Sequence, residues 1–242
     1  MQWEDDGIVL TVRRHGETSA LVTLLSRSHG RHAGLVRGGT SRRLRGILQP
    51  GNKIHAVWRA RLPEHLGTLA CEPIDSVAAA LFGHPRRLRA LSAACAVTEA
   101  ALPEREPHPE IHDALANLLK AMGDDEGWPA IYVKWEVDLL RYLGFGLDLA
   151  VCAATGERGH LTYVSPRSGR AVSAVAGEPY RAKLLPLPSF LLTGEREVGS
   201  DVVAEGLRLT GYFLERHVFA HRGYRLPAAR RRLADLFAKD ME

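Results

Sequence analysis

Eleven histidines, three cysteines and 28 carboxylates are the groups through which this chain could do bond chemistry, and their spacing gives them little to work with. His108 with His112, and His217 with His221, have the i, i+4 spacing that sets two imidazoles on one helical face, as a zinc site requires. No acidic or thiol partner is evident for either pair, so both read as surface or partly satisfied histidines. Cys71, Cys95 and Cys152 are odd in number and contain no C-x-x-C pair, which excludes a disulfide framework or a four-thiolate zinc site built from them alone. Each reads as a small buried hydrophobe or an incidental thiol. The stretch GILQPGNK approaches a P-loop, but its lysine falls one residue late, no Ser or Thr follows, Pro50 sits inside it and a strand pattern comes next. There is no G-x-S-x-G, H-E-x-x-H or dinucleotide fingerprint. Asp5, Asp6, Asp124 and Asp125 read as solvated groups in turns or at the terminus, with no framework for acid–base work or Mg²⁺. The expectation is a protein that is not an enzyme and holds no metal or cofactor.

Binding chemistry is better represented. From Thr18 to Pro63 there is no Asp or Glu, while Arg27, Arg31, Arg37, Arg42, Arg43, Arg45, Lys53, Arg59 and Arg61 supply nine positive charges. The whole chain is only +4, so the rest of it carries a negative balance and the basicity is local. A local basic field is what a polyanion needs, and arginine forks give bidentate contacts to phosphate. Gly38 and Gly39 in LVRGGTSRRLRG would let backbone N–H groups come close to phosphates. In KIHAVWRAR a period of two puts Lys53, His55, Val57, Arg59 and Arg61 on one face and Ile54, Ala56 and Trp58 on the other. Trp58 is the one aromatic of the segment and its parity points inward, which favours backbone-dominated, sequence-tolerant binding over base stacking. A second basic cluster, Arg222, Arg225, Arg230, Arg231 and Arg232, surrounds the start of the last helix. Arginines there oppose the helix dipole, so a second DNA contact, a contact to the acidic tail of a partner and a solvated face all stay open.

The elements that must position these residues follow from periodicity. GIVLTVRR, SALVTLLS, KIHAVWRAR and TLACEPIDSV, punctuated by glycines at 30, 38, 39, 51 and 67, give about five strands in the first eighty residues, the number and spacing of a five-stranded OB-fold barrel. After Pro85 apolar residues recur at helical spacing: Leu88, Leu91, Cys95 and Leu102; then Ile111, Leu115, Leu118, Leu119 and Met122. WPAIYVKWEVDLLRYLGF places Pro129 in a first turn and Gly144 at a C-cap. Residues 145–177 read as an irregular insert with a hairpin turning at Pro166 to Gly169, and helices return around Val203–Val218 and after Pro227. The fold expected is α+β: an OB-fold domain over residues 1–80 and a helical domain over 81–242 carrying the insert. MQWEDDGIVL has no basic region followed by an apolar run, and no window approaches the length of a membrane helix, so a soluble cytoplasmic protein is expected.

GIVLTVRRHGETSALVTLLSRSHGRHAGLVRGGTSRRLRGILQPGNKI resembles the N-terminal region of the bacterial RecO family of recombination mediators. LGFGLDLAVCAATGE is similar to that family's central segment and GLRLTGYFLERHVFAHRGYRLPAARRRL to its last helices. The resemblance implies a nucleoid-associated DNA-repair protein that binds single- and double-stranded DNA and anneals complementary strands. It further implies engagement of the acidic C-terminal tail of single-stranded-DNA-binding protein and, with RecR, the loading of RecA. Many relatives carry a four-cysteine zinc-finger-like insert; here Cys152 remains, Thr155 stands where a second cysteine would follow and SGRAVSAVAG replaces the later pair. The insert is therefore expected to be zinc-free and held by packing and hairpin hydrogen bonds. The DNA surface is assigned to Arg13, Arg14, Arg31, Arg37, Arg42, Arg43, Arg45, Lys53, Arg59 and Arg61. Alternatives are another OB-fold nucleic-acid module, such as an RNA-binding factor, or an enzyme with a site spread across two domains.

Overall fold

Strand β1 (Gln2–His15) buries Ile8, Val9 and Leu10 in succession, which a simple alternating strand would not do. Two features account for it. Its pairing with β2 (Ser19–Ser26) shifts register between Val9 and Thr11, and both of its faces are covered there. Val9 points into the barrel core, and the outer face lies under helix α3 (Pro85–Ala101), whose Cys95 Sγ sits 3.8 Å from the Val9 carbonyl oxygen. The computed structural model describes residues 1–220 and 223–239. Strands β3 (Gly30–Val36), β4 (Lys53–Arg59) and β5 (Thr68–Asp75) complete a closed barrel in the order β1-β2-β3-β5-β4. The five strands of the expected OB-fold are thus present, and β4 buries Ile54, Ala56 and Trp58 as its parity requires.

The arginine-rich segment between β3 and β4 departs from expectation. Its glycines and arginines suggest irregular chain, yet it contains helix α1 (Arg42–Ile47), whose first turn is capped by the Ser41 hydroxyl accepting from Leu44 N–H at 3.4 Å. Leu44, Ile47 and Leu48 recur at i, i+3, i+4 and pack against the barrel core. Burying that stripe forces Arg42, Arg43 and Arg45 outward.

Helices α2 (Val77–Ala80), α3 and α4 (Pro109–Asp124) pack with the barrel, so the unit defined by packing runs through Asp124 and includes residues 227–230. The change of secondary-structure type comes earlier, near residue 80. Arg87 of α3 is buried because its guanidinium donates to the carbonyls of Met122 and Gly123, at 3.0 and 2.9 Å, where α4 ends with unsatisfied acceptors.

The second unit covers Asp125–Leu226 and the chain from Arg231 onward. Helix α5 (Trp128–Tyr142) ends as expected at Gly144, whose φ of +86° lets its N–H reach the Arg141 carbonyl while Phe145 N–H reaches that of Leu140. The insert forms β6 (Leu161–Val164) and β7 (Ala171–Ser173), and β8 (Leu185–Pro186), beyond residues 145–177, joins them in a sheet of order β7-β6-β8. Between these elements and after them lie short helices α6 (Ala174–Gly177) and α7 (Phe190–Thr193). Helix α8 (Ser200–Phe213) continues into a π-helical segment, Leu214–Phe219, and α9 (Ala228–Lys239) ends the described chain. The α5–α8 contact is close enough that a Cβ on Gly206 would stand 2.8 Å from Val133 Cγ1. Thr210 donates to the buried Glu136 carboxylate at 2.5 Å across the same contact. Among the described residues no helix is long and apolar enough to cross a membrane.

Candidate nucleic-acid interface

The outward face of α1 and the end of β3 bring Arg37, Arg42, Arg43 and Arg45 together, all exposed. Among the described residues the side chains of Arg37, Arg42 and Arg43 make no hydrogen bond or ion pair, and the Arg45 guanidinium donates only to the Thr40 carbonyl at 3.1 Å. Arg59, at the end of β4, reaches the same region and gives its Nε proton to the neutral Gln2 Oε1 at 2.9 Å. Arg37, Arg43 and Arg59 border a groove of about 650 Å³ between α1 and the outer face of β3, β4 and β5. Its floor is apolar, with Leu35, Val57, Ala70 and Cys71, and no carboxylate lines it. Burial pushes the Cys71 thiol up to about 12. Unopposed guanidinium groups around a concave apolar surface can bind a phosphate backbone by charge-assisted hydrogen bonds.

The rest of the basic segment is partly neutralised by pairing that the linear sequence does not reveal. Arg27 donates to both carboxylate oxygens of Asp113, which lowers that carboxyl to about 2. Arg31 is half-buried, donates to the Leu102 carbonyl at 3.0 Å and faces Glu104 at 3.5 Å. Its role is to tie β3 to the chain after α3, which removes it from the exposed DNA surface assigned from sequence. Antiparallel pairing with β1 sets Asp6 and Glu4 each 2.9 Å from a His55 ring nitrogen. Those bonds, Asp6 first and then Glu4, raise the His55 pKa. The outer face of β4 is therefore basic only toward Arg59 and acidic-bordered around His55, and Lys53 pairs in register with Asp75. Arg13 stands 3.8 Å from Glu99, and Arg14 folds back on the carbonyls of Gly16 and Glu17. Arg61 is exposed beyond the end of β4.

Gly39 does not present its N–H to a ligand. That proton goes to the Val36 carbonyl at 3.2 Å, and a Cβ at Gly39 would stand 2.6 Å from that of Ala20. The residue is there for close packing, while Gly38, with φ of +68° and open space where a Cβ would sit, makes the turn.

In the C-terminal cluster Arg225, Arg231 and Arg232 are exposed, and Arg222 lies outside the described residues. Arg230 is fully buried, so it cannot serve the surface contact assigned to it from sequence. The histidine pairs have neighbours that spacing hid: His112 Nδ1 lies 3.0 Å from Asp113 and His108 Nε2 lies 3.8 Å from Glu106. Asp113 is already held by Arg27, and among the described residues no group of His, Cys, Asp and Glu is placed to hold a metal ion. His217 stacks between Phe145 and Phe213, and His221 lies outside the described residues. Three of the carboxylates read as solvated have structural partners, Asp6 through His55 as above. Asp5 accepts from Ser26 and from the N–H groups of Ser28 and Asp6; burial opposes its charge, but these bonds outweigh it and lower its pKa. Asp125 accepts from Gly127 N–H and Arg196.

In the insert, Cys152 is buried and its Sγ lies 3.5 Å from Ser173 Oγ and accepts from Ser173 N–H at 3.3 Å. Hydrogen bonding to Ser173, then Thr155, brings its pKa down to about 6, so it is more polarised than the plain buried hydrophobe read from sequence. Backbone bonds from Cys152 to Glu157, Ala153 to Ala171 and Ala171 to Asp148 knit the same region.

Comparison with known proteins gives this geometry a context. Residues 1–77 match the family model for the recombination protein O N-terminal region, and residues 84–225 match that for the recombination protein O C-terminal region. The chain is 56% identical to the DNA repair protein RecO of Rhodospirillum centenum over 241 residues, covering 99% of this chain and 96% of the relative. It is 52% identical to that of Rhodospirillum rubrum, covering 97% and 96%. To that of Caulobacter vibrioides it is 48% identical, covering 99% and 98%.

Proposed function

The chain belongs to the RecO family of DNA-repair proteins, and from that premise we propose that it is a recombination mediator whose work is done by a phosphate-binding surface. The carrying observation is the set of arginines around α1 and the groove, Arg37, Arg42, Arg43, Arg45 and Arg59, whose charge no carboxylate of the barrel neutralises. Arg13, Arg14, Lys53 and Arg61 extend this surface with weaker claims, because the first three have neighbours inside the fold.

The mechanism needs no bond to be made or broken. Each phosphate contact releases condensed counterions, so strands are collected on the protein with strong salt dependence. Screening of strand–strand repulsion and the raised local concentration then let complementary strands find each other. The same surface binds single- and double-stranded DNA because it contacts backbone and not base sequence. In the cell the protein is cytoplasmic, and partners of the family complete the role: the acidic tail of single-stranded-DNA-binding protein recruits it to gaps, and with RecR it assists loading of RecA. The exposed Arg225, Arg231 and Arg232 are candidates for the acidic tail or for a second DNA contact.

An annealing assay tests the proposal. Complementary strands carrying a fluorescence donor and acceptor are mixed with and without protein at low and high salt. Faster pairing that disappears at high salt, and in an Arg37→Ala, Arg42→Ala, Arg43→Ala variant, supports the reading. Pairing at the uncatalysed rate under all conditions rejects it.

A further inference from the structure

The barrel is closed unevenly. Strands β3 and β5 meet through one register pair, Leu35 with Thr68, secured by Leu35 N–H to the Gly67 carbonyl at 3.0 Å. Beyond that pair the strands part, and the groove opens along the seam with α1 as its opposite wall. Val57 and Ala70 face each other across β4 and β5 on its floor, with Leu35 and Cys71 beside them. Ala70 is exposed and Val57 half-buried, so this apolar floor is open to a ligand.

Charge gives the groove a direction. Arg59 pairs in register with Thr68 at one end of the Val57–Ala70 pair, and Arg37 and Arg43 also line the groove. At the other end His55 is opposite Glu72 and is held by Asp6 and Glu4. An anionic backbone is thus attracted by the three arginines that line the groove and repelled beyond its His55 end.

Resting on the nucleic-acid reading above, we infer that this seam groove is a single-strand-selective subsite, in which the backbone lies on Arg37, Arg43 and Arg59 while unstacked bases seat on the floor around Val57 and Ala70. A volume of about 650 Å³ suits a small ligand and not a duplex. Bases in a duplex are stacked inside it and offer only their edges in the grooves, so duplex DNA contacts the arginine rim and leaves the floor empty. The floor carries no aromatic ring and no directed hydrogen-bond donors, so base contact is apolar and sequence-tolerant.

The test uses three probes of equal length on the full chain: a thymidine single strand, the same backbone with abasic sites, and a duplex. The abasic strand has the same charge, so its salt slope should match that of the thymidine strand while its affinity falls by about tenfold through loss of apolar contact. Location is read from an Ala70→Cys variant. Its introduced thiol is exposed, whereas Cys95 and Cys152 are buried and the Cys71 thiol is protonated near neutrality. The thymidine strand should slow alkylation of the Ala70→Cys thiol, and the abasic strand and the duplex should not. Equal affinity for thymidine and abasic strands, or unchanged alkylation with the thymidine strand bound, overturns the inference while leaving backbone binding intact. Protection by an acidic peptide and not by the strand assigns the groove to a protein partner and also overturns it. Failure of all three probes to bind at low salt rejects the underlying DNA-binding reading instead.

Discussion

Lowering the pH from 7 to 5 should weaken the barrel through one residue, His32. It is buried at 4% exposure on β3, and neither ring nitrogen has a hydrogen-bond partner among the described residues. Its ring stands edge-on to Trp3 and Trp58, at centroid distances of 5.0 and 4.8 Å, in a cluster completed by His29 stacked on Trp3. Burial, and after it the charge of Arg105, depress its pKa from 6.5 to about 4. Arg105 is fixed in place by donating to the carbonyls of Glu64 and His65, so this repulsion is built in. The unfolded chain binds a proton on this imidazole below pH 6.5 and the folded chain does so only near 4, so the penalty grows as pH falls through that window. The full shift is worth at most about 3.5 kcal/mol at roughly 1.4 kcal/mol per unit, and the portion between pH 7 and 5 is about 1–2 kcal/mol. His55 has the opposite sign: its raised pKa gives stabilisation that is complete below 6.5 and lost at higher pH, but it sits in an exposed pair and contributes little. Urea unfolding followed by tryptophan fluorescence at pH 7, 6 and 5 measures the loss, with His32→Phe as the variant that cannot titrate. The stability difference between variant and wild type should shift toward the variant by about 1–2 kcal/mol from pH 7 to 5. Parallel pH profiles for the two proteins would refute the reasoning.

Other sites give separate expectations. A Cβ on Gly30, which has φ of +67°, would stand 1.9 Å from the Glu106 carbonyl oxygen, so Gly30→Ala should cost about 2–4 kcal/mol in urea unfolding of the barrel; a change within error would mean that the loop after α3 yields freely. Arg230→Ala should reduce stability by roughly 3 kcal/mol while leaving the DNA salt slope of the folded protein unchanged, whereas Arg231→Ala should leave stability unaltered. Purified protein should contain substoichiometric zinc, and a chelator should not move Tm; stoichiometric zinc would refute the packing account of the insert around Cys152.

How much of this was legible in sequence depended on whether the cause was local. The buried parity of β4, the Schellman end at Gly144 and the hairpin closing at Gly169 are set by neighbouring residues, and each could be read from its own stretch. Helix α1 was equally local, with Ser41 before an i, i+3, i+4 stripe of Leu44, Ile47 and Leu48, but the surrounding glycines and arginines masked that signal. Charge was the part that did not transfer. Counting along the chain missed that β1 lays Glu4 and Asp6 beside His55, that Asp113 holds Arg27 and that Glu104 faces Arg31, because those pairs form only when distant segments meet. Arg230 illustrates the same limit: residue type says surface, and only the packed helix shows it buried.

The most direct test of the central claim is the salt dependence of single-strand binding, measured by fluorescence anisotropy for wild type and for a variant with Arg37, Arg42 and Arg43 changed to alanine. These side chains have no partners among the described residues, so their loss should leave the fold intact, which circular dichroism can verify. With roughly 0.7 counterions released per phosphate contact on single strands, losing these contacts should flatten the log–log slope by about two units and weaken binding at low salt. An unchanged slope with full affinity would contradict the account and move the DNA surface away from α1 and the groove.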